Sequence, residues 1–183
     1  MQFFTTRDET AKLVELCRNG NSKAQHELYR LYSKAMYNTS LRIVGNREEA
    51  EDVLQEAFLD GFMRINFYRG ESTFGAWLKA IVVNKSIARL RTRRLQFEDI
   101  GTVRVDTETD EEDDFEEDVN TIQVLKMLMN ELSSGYRLVL SLYLFEGYDH
   151  REISEILGIS EVTSRSQFIR AKQKLLELYK ARR

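Results

Sequence analysis

Hydrophobic residues recur along this chain at three- and four-residue intervals, the spacing that gives a helix one apolar face. A short helix is predicted within residues 1–20, with Leu13, Val14 and Leu16 as its apolar positions, ending at Gly20-Asn21. A second is predicted from about Ser22 to Val44, its stripe formed by Leu28, Leu31, Tyr32, Ala35, Met36, Thr39 and Ile43. A third, from about Arg47 to Ile65, has Ala50, Val53, Leu54, Ala57, Phe58, Phe62 and Ile65 on one side. A polar turn around Gly70 follows, and a helix starting near Ser72 turns Phe74, Trp77, Leu78 and Ile81 inward. After a break the period resumes, with Ile122, Leu125, Leu128, Met129 and Leu132 on one helix. Tyr136, Val139, Leu140, Tyr143 and Leu144 face inward on the next, with Ser133 or Ser134 as its cap and Gly147 as its stop. Nowhere do Val, Ile and Thr alternate as strands require, and the chain has no proline. The pattern predicts an all-α protein.

The last stretch, Tyr148 to Tyr179, has the most local detail. Asp149 can cap a helix, and Glu152 three residues on completes a capping box. Ile153, Ile156 and Leu157 form its apolar face. Gly158 stands where a helix end needs a positive φ, and Ser160 can cap the next helix. Two helices joined by such a turn make a helix-turn-helix, whose second helix fits the DNA major groove. On that helix Phe168, Ala171, Leu175 and Leu178 share one side, with Ser164 at its N-terminal end. Val162, Ser166, Ile169, Arg170 and Gln173 take the other, with Arg165 at its edge. An apolar Ile169 between Ser166 and Arg170 suits base edges and thymine methyls better than bare solvent.

Charge divides the 183 residues into three parts. Residues 1–95 hold 16 basic and 11 acidic side chains, residues 96–118 one basic and 12 acidic, and residues 119–183 ten basic and seven acidic. Two basic modules are therefore joined by an acidic strap, which is expected to be a flexible linker, disordered when free. The strap is either a solubilising tether or an acidic strand that competes with nucleic acid for a basic channel. Within the first module, Lys79 to Arg94 contains six basic residues and no acidic one. Rings, the Asn84 amide and a basic tail on one helix suit single-stranded nucleic acid, although Trp77 is equally placed for a core.

Candidate chemistry is sparse. The third helix shows Glu48, Glu51, Asp52, Gln55 and Glu56 on its polar face. Such a face can hold a metal, be merely solvated, or dock a protein. His26 has no second His or Cys nearby and is expected to be structural; His150 is expected to be an exposed polar residue. Cys17 is the only cysteine, which excludes an intrachain disulfide and a cysteine zinc site. No apolar run has the length of a membrane span and the N-terminus lacks a signal-peptide core, so a cytoplasmic protein without membrane insertion is expected. No nucleophile–base pair, phosphate-cradling glycine loop or metal cluster is legible, so no cofactor and no enzymatic activity are expected.

Three stretches together resemble a family: EEAEDVLQEAFLDGF (Glu48–Phe62), YRGESTFGAWLKAIVVNKSIARLRTRR (Tyr68–Arg94) and YRLVLSLYLFEGYDHREISEILGISEVTSRSQFIRAKQKLLEL (Tyr136–Leu178). Their order and spacing resemble the bacterial RNA polymerase sigma factors of the extracytoplasmic-function (ECF) class. The resemblance implies two helical domains, region two over residues 1–95 and region four over residues 119–183, with residues 96–118 between them threading toward the RNA exit path. It implies that Asp52, Gln55 and Glu56 bind core RNA polymerase. It places Arg69, Ser72, Trp77, Asn84 and Arg89 at a melted minus-ten promoter element, with one flipped base captured near the Arg69–Thr73 turn. It places Arg165, Ser166, Ile169 and Arg170 on duplex DNA at the minus-thirty-five element, and adds an anti-sigma factor as partner. Ser133-Ser134-Gly135 stands where the family often has proline, and Val162-Thr163-Ser164 and Gln167 also depart from its pattern, which bears on the bases read. The rival readings are a dimeric helix-turn-helix repressor or activator, and a metal-dependent nucleic-acid enzyme using Glu48, Asp52 and Glu56.

Overall fold

The computed structural model describes residues 7–98 and 117–182. They are all-helical: α1 (Arg7–Arg18), α2 (Ser22–Val44), α3 (Arg47–Met63), a 3-10 turn at Ile65–Phe67, α4 (Phe74–Glu98), α5 (Glu117–Glu131), α6 (Ser134–Leu144), α7 (His150–Leu157) and α8 (Glu161–Ala181). They divide into two compact units, the first holding α1, α2 up to Leu41, α3 and α4 up to Arg91, the second holding Arg42–Asn46, α4 from Thr92 and α5 to α8. The acidic linker expected over residues 96–118 falls, between Glu98 and Glu117, outside the described residues.

In the first unit the expected stripes turn largely inward, although Ala35, expected on the α2 stripe, is exposed. Leu28 of α2, Val53 and Phe58 of α3, and Phe74, Leu78 and Val82 of α4 are buried. Tyr29 lies against Phe58 with ring centroids 4.7 Å apart. The buried Ser40 and Ser86 hydroxyls are 3.3 Å apart, and Ser86 also donates to the Val82 carbonyl, so this polar pair inside the core is satisfied. Gly75 permits the first turn of α4 to meet α2, because a Cβ there would stand 2.8 Å from the Tyr32 ring. Thr73 caps α4 by accepting from the Ala76 amide, and the helix begins at Phe74, two residues after the predicted start.

Helix α1 differs from its predicted face. Thr10, Val14 and Cys17 are buried while Leu16 is exposed. Thr10, Val14 and Cys17 are four and three residues apart, so they share the inner side. Burial pushes the Cys17 thiol up from its ordinary range. Since the thiolate is the nucleophile, Cys17 in the native protein is expected to alkylate with iodoacetamide far more slowly than in urea-unfolded chain. Equal rates in the two states would contradict the burial.

In the second unit Met129, Leu132, Leu140 and Ala171 form a core lined by Tyr136, Phe168, Leu175 and Leu178. The predicted inner face of α8 is thereby met. Ser133 occupies the N-cap of α6 without a side-chain capping bond, and Tyr143 and Leu144, both expected inward, are exposed.

Candidate functional site

The helix-turn-helix is built from local chemistry. Asp149 accepts from the Glu152 amide at 2.8 Å, and the Glu152 carboxylate accepts from the Asp149 amide at 2.8 Å, a complete capping box. Gly158 then takes φ 68°, ψ 37°, the left-handed conformation that ends α7. Ser160 caps α8 by accepting from the Thr163 amide at 3.0 Å. Ile153, fully buried, anchors α7.

His150 is half-buried, not the exposed polar residue expected at its position. Its Nδ1 lies 3.0 Å from the hydroxyl of Ser164, itself buried in the first turn of α8. Its ring stacks on Tyr143 at 4.6 Å and meets Phe168 edge-on at 5.5 Å. His150 thus ties α6, α7 and α8 together and helps fix the angle at which α8 is presented. Its only sequence signal was an i, i+14 pairing with Ser164, which no periodicity reveals.

The outer side of α8 carries the residues expected there. Arg165, Ile169 and Arg170 are exposed and Ser166 is half-buried; Ile169 is 55% exposed and Val162 is 73% exposed. Arg165 is held by Glu161 one turn earlier, with Nη2 at 2.5 Å and Nε at 3.2 Å from the same carboxylate oxygen. Glu161 therefore orients one of the two arginines of this face, a role the basic run alone did not suggest.

On α3, Asp52, Gln55 and Glu56 are all exposed on one side. The same side continues into Leu59 and Met63, 64% and 81% exposed. Positions 52, 55, 56, 59 and 63 follow the helical period, so an acidic half and an apolar half form one stripe. Sequence reading missed Leu59 and Met63, although their period with Asp52 and Glu56 was available. The exposed Leu59 and Met63 are the interface-like part of this stripe, with the carboxylates as a polar flank.

Arg89 was expected with the DNA-facing residues of α4, yet the structure turns it to α3. Its Nη2 is 2.9 Å from Glu56 and its Nη1 3.5 Å from Asp52. Lys85 adds a contact at 3.5 Å to Asp60 and one at 4.0 Å to Glu56. The reason is helical phase. Trp77 and Asn84 lie seven residues apart on one side of α4, while Arg89 is about a third of a turn away from Trp77. Among the described residues no three His, Cys, Asp or Glu side chains group as a metal site.

The turn before α4 is more built than its composition suggested. Tyr68, Phe74 and Trp77 form an aromatic cluster with centroids 5.4 to 5.8 Å apart, so Trp77 is half-buried within it. The Tyr68 hydroxyl donates to the Ser72 carbonyl at 2.7 Å, closing the turn around Gly70, which has φ 76°. Arg69 and Ser72 project into solvent from it, and Asn84 is exposed further along α4. Phe67, in the preceding 3-10 turn, is 77% exposed. A cavity of about 410 Å³ opens beside the turn, lined by Arg69, Gly70 and Thr73 on one wall and by Thr10, Arg18 and Tyr32 on the other. No described helix is long and apolar enough to cross a membrane.

Comparison with known proteins finds two family models along the chain. The family model of Sigma-70 region 2 matches residues 28–96, and that of Sigma-70 region 4 matches residues 122–175. The chain is 31% identical to the ECF RNA polymerase sigma-E factor of Haemophilus influenzae, over 88% of this chain and 90% of that protein. It is 26% identical to the RNA polymerase sigma-H factor of Pseudomonas aeruginosa, over 92% of each. Among solved structures, the sigma factor RpoE of Bartonella quintana, crystallised with the anti-sigma factor NepR, superposes with a TM-score of 0.64 at 22% identity, covering 86% of this chain and 98% of that one. CnrH, in complex with the cytosolic domain of CnrY, superposes with a TM-score of 0.52 at 21% identity, covering 92% and 96%. With capped region-four helix-turn-helix, region-two helices and full-length relatives in agreement, this chain belongs to the sigma-70 family as an ECF sigma factor.

Proposed function

We propose that this chain directs core RNA polymerase to promoters by a division of labour between its two units. The stripe from Asp52 to Met63 docks on the polymerase, the Tyr68–Thr73 turn with Trp77 and Asn84 takes the melted minus-ten strand, and Arg165, Ser166, Ile169 and Arg170 read the minus-thirty-five duplex. The observation that carries this reading is the joint presence, on separate compact units, of a mixed acidic–apolar stripe and a capped helix-turn-helix with an exposed Arg/Ser/Ile/Arg face. Two weak modules gain affinity once a larger body holds both on one promoter. The chemistry of RNA synthesis belongs to the polymerase, in the cytoplasm where the DNA is. A dimeric repressor would leave the α3 stripe without a purpose, and pairing of Asp52 and Glu56 with Arg89 argues against a metal-dependent nuclease. A relative captured with an anti-sigma factor supports a similar partner here, and the Asp52–Met63 stripe is the surface it would cover.

At the minus-ten element, unpairing costs a few kcal/mol per base, and stacking on aromatic rings returns about 1–3 kcal/mol per base. The exposed Phe67 and the half-buried Trp77 are the rings available beside the turn. The cavity between Arg69, Gly70 and Thr73 and the α1 wall is large enough for a flipped base.

Arg89 gains a different part in this scheme. Exposed pairs such as Arg89–Glu56 contribute only about 0.2–1 kcal/mol, so a cationic polymerase surface can displace the guanidinium. Displacement frees Arg89 for DNA phosphate once docking has occurred. Arg89→Ala is therefore expected to raise affinity for core polymerase by up to about fivefold while weakening promoter complexes, since a competing pair and a phosphate contact are lost together. Titration of labelled protein with core polymerase, then with promoter DNA, checks both. A fall in polymerase affinity would show that Arg89 supports docking instead of competing with it.

The overall test is anisotropy of a labelled promoter fragment titrated with the protein alone and with core polymerase. Sequence-specific binding is expected only in the second case, and tight specific binding by the protein alone would favour the repressor.

A further inference from the structure

The cavity beside the minus-ten turn has a second wall, made by α1 and by Tyr32 of α2, and one side chain ties the α1 part to the turn. Arg18, the last residue of α1, donates from Nη2 to the backbone carbonyl of Tyr68, fifty residues away in sequence. Its Nη1 lies 2.8 Å from the Glu15 carboxylate, which fixes the guanidinium from the other side. Its Nε is buried and lacks a hydrogen-bond partner among the described residues, so the group is committed to this place by its two outer nitrogens alone. Tyr68 is the residue on which the turn depends: its ring rests on Phe74 and Trp77, and its hydroxyl closes on the Ser72 carbonyl. Gly70 leaves the middle of the turn with a wide choice of backbone angles. What holds Tyr68 therefore sets where Arg69 and Ser72 project.

Resting on the minus-ten reading above, we propose that Arg18 is a positioning residue for promoter melting: by holding the Tyr68 carbonyl it sets the turn in the shape that accepts an unpaired base. Arg18 acts through the turn and through the cavity wall. A planar guanidinium serves a carbonyl and a carboxylate at once in fixed directions, which an ammonium does not reproduce. The consequence is that α1, remote in sequence from every minus-ten residue, contributes to base preference.

The experiment uses the full chain with core polymerase and a promoter set in which each minus-ten position carries each of the four bases, as duplex and as a premelted bubble. Open complexes are read by permanganate footprinting, and thermal stability and core affinity are measured alongside. Arg18→Met keeps the apolar stem, and Arg18→Lys keeps the charge. Arg18→Met is expected to lower opening of the duplex promoter on the order of tenfold, the scale of one charge-assisted hydrogen bond. It also flattens the strongest base preference on duplex and bubble alike, with core affinity unchanged, and Arg18→Lys recovers part of the loss. Base preference retained by Arg18→Met overturns the positioning role. So does an equal loss on every promoter that follows a lowered thermal midpoint. If Arg18→Met does not fold, Glu15→Ala, which removes only the exposed brace, is judged by the same two readings. Wild-type protein with no base preference anywhere in the minus-ten element overturns the minus-ten reading itself, and this proposal with it.

Discussion

Replacing Asp52 and Glu56 together by alanine is expected to lower affinity for core RNA polymerase by about 100-fold, near 3 kcal/mol, within the range for charge pairs desolvated at an interface. The fold should survive. Both side chains are exposed, and the pairs they lose, Arg89–Asp52 at 3.5 Å, Arg89–Glu56 at 2.9 Å and Lys85–Glu56 at 4.0 Å, are partly solvated and contribute at most about 1 kcal/mol each. The apolar half of the stripe gives a second handle. Leu59→Ser or Met63→Ser should weaken the complex without the salt dependence that accompanies loss of the carboxylates, because buried apolar area is not screened. A titration of fluorescently labelled protein with core polymerase at two salt concentrations separates the two halves. Unchanged affinity in the Asp52→Ala, Glu56→Ala double variant, with helix content retained, would remove α3 from the polymerase interface.

The other large effect is expected on α8. Arg170→Ala should reduce discrimination among minus-thirty-five sequences by about 1–3 kcal/mol, between roughly tenfold and a hundredfold, with polymerase binding intact. Arg165→Ala should behave similarly but with a smaller net loss. In the free protein Arg165 is already held by Glu161, and that pair must be rearranged or shared when DNA binds. Glu161→Ala is the complementary change: it removes the orienting carboxylate and a negative charge near the phosphates, so nonspecific affinity should rise while selectivity falls. Competition between consensus and scrambled promoters for the polymerase complex reads both quantities. If Arg170→Ala weakens all sequences equally, the guanidinium contacts phosphate and carries no sequence information.

The elements that sequence resolved best are those whose cause is local. The Asp149–Glu152 capping box, Gly158 at positive φ and Ser160 at the next N-cap lie within twelve residues, and each follows from a side chain meeting its own backbone. The inner face of α8 was equally legible, since Phe168, Ala171, Leu175 and Leu178 obey one period. What sequence did not reveal depends on partners far along the chain. His150 meets Ser164 and Tyr143 only because α7 crosses α8 beside α6. Arg89 looked like one more cation in a basic run, and only the juxtaposition of α4 with α3 sets it on Glu56. Leu16 lies outward and Thr10 inward because the inner side of α1 is chosen by its neighbours, which a twelve-residue helix with apolar residues on more than one face cannot announce. Arg18, the residue with the most to say about the turn, had no signature at all.

The central property proposed for this chain is that its two units act on a promoter through a polymerase that docks on α3. Transcription by purified core polymerase over host genomic DNA, with and without this protein, tests that most directly when RNA 5′ ends are mapped. A set of new start sites is expected, each preceded by shared minus-thirty-five and minus-ten sequences and lost with the Asp52→Ala, Glu56→Ala variant. Start sites unchanged by the protein, or new ones that share no upstream sequence, would contradict it.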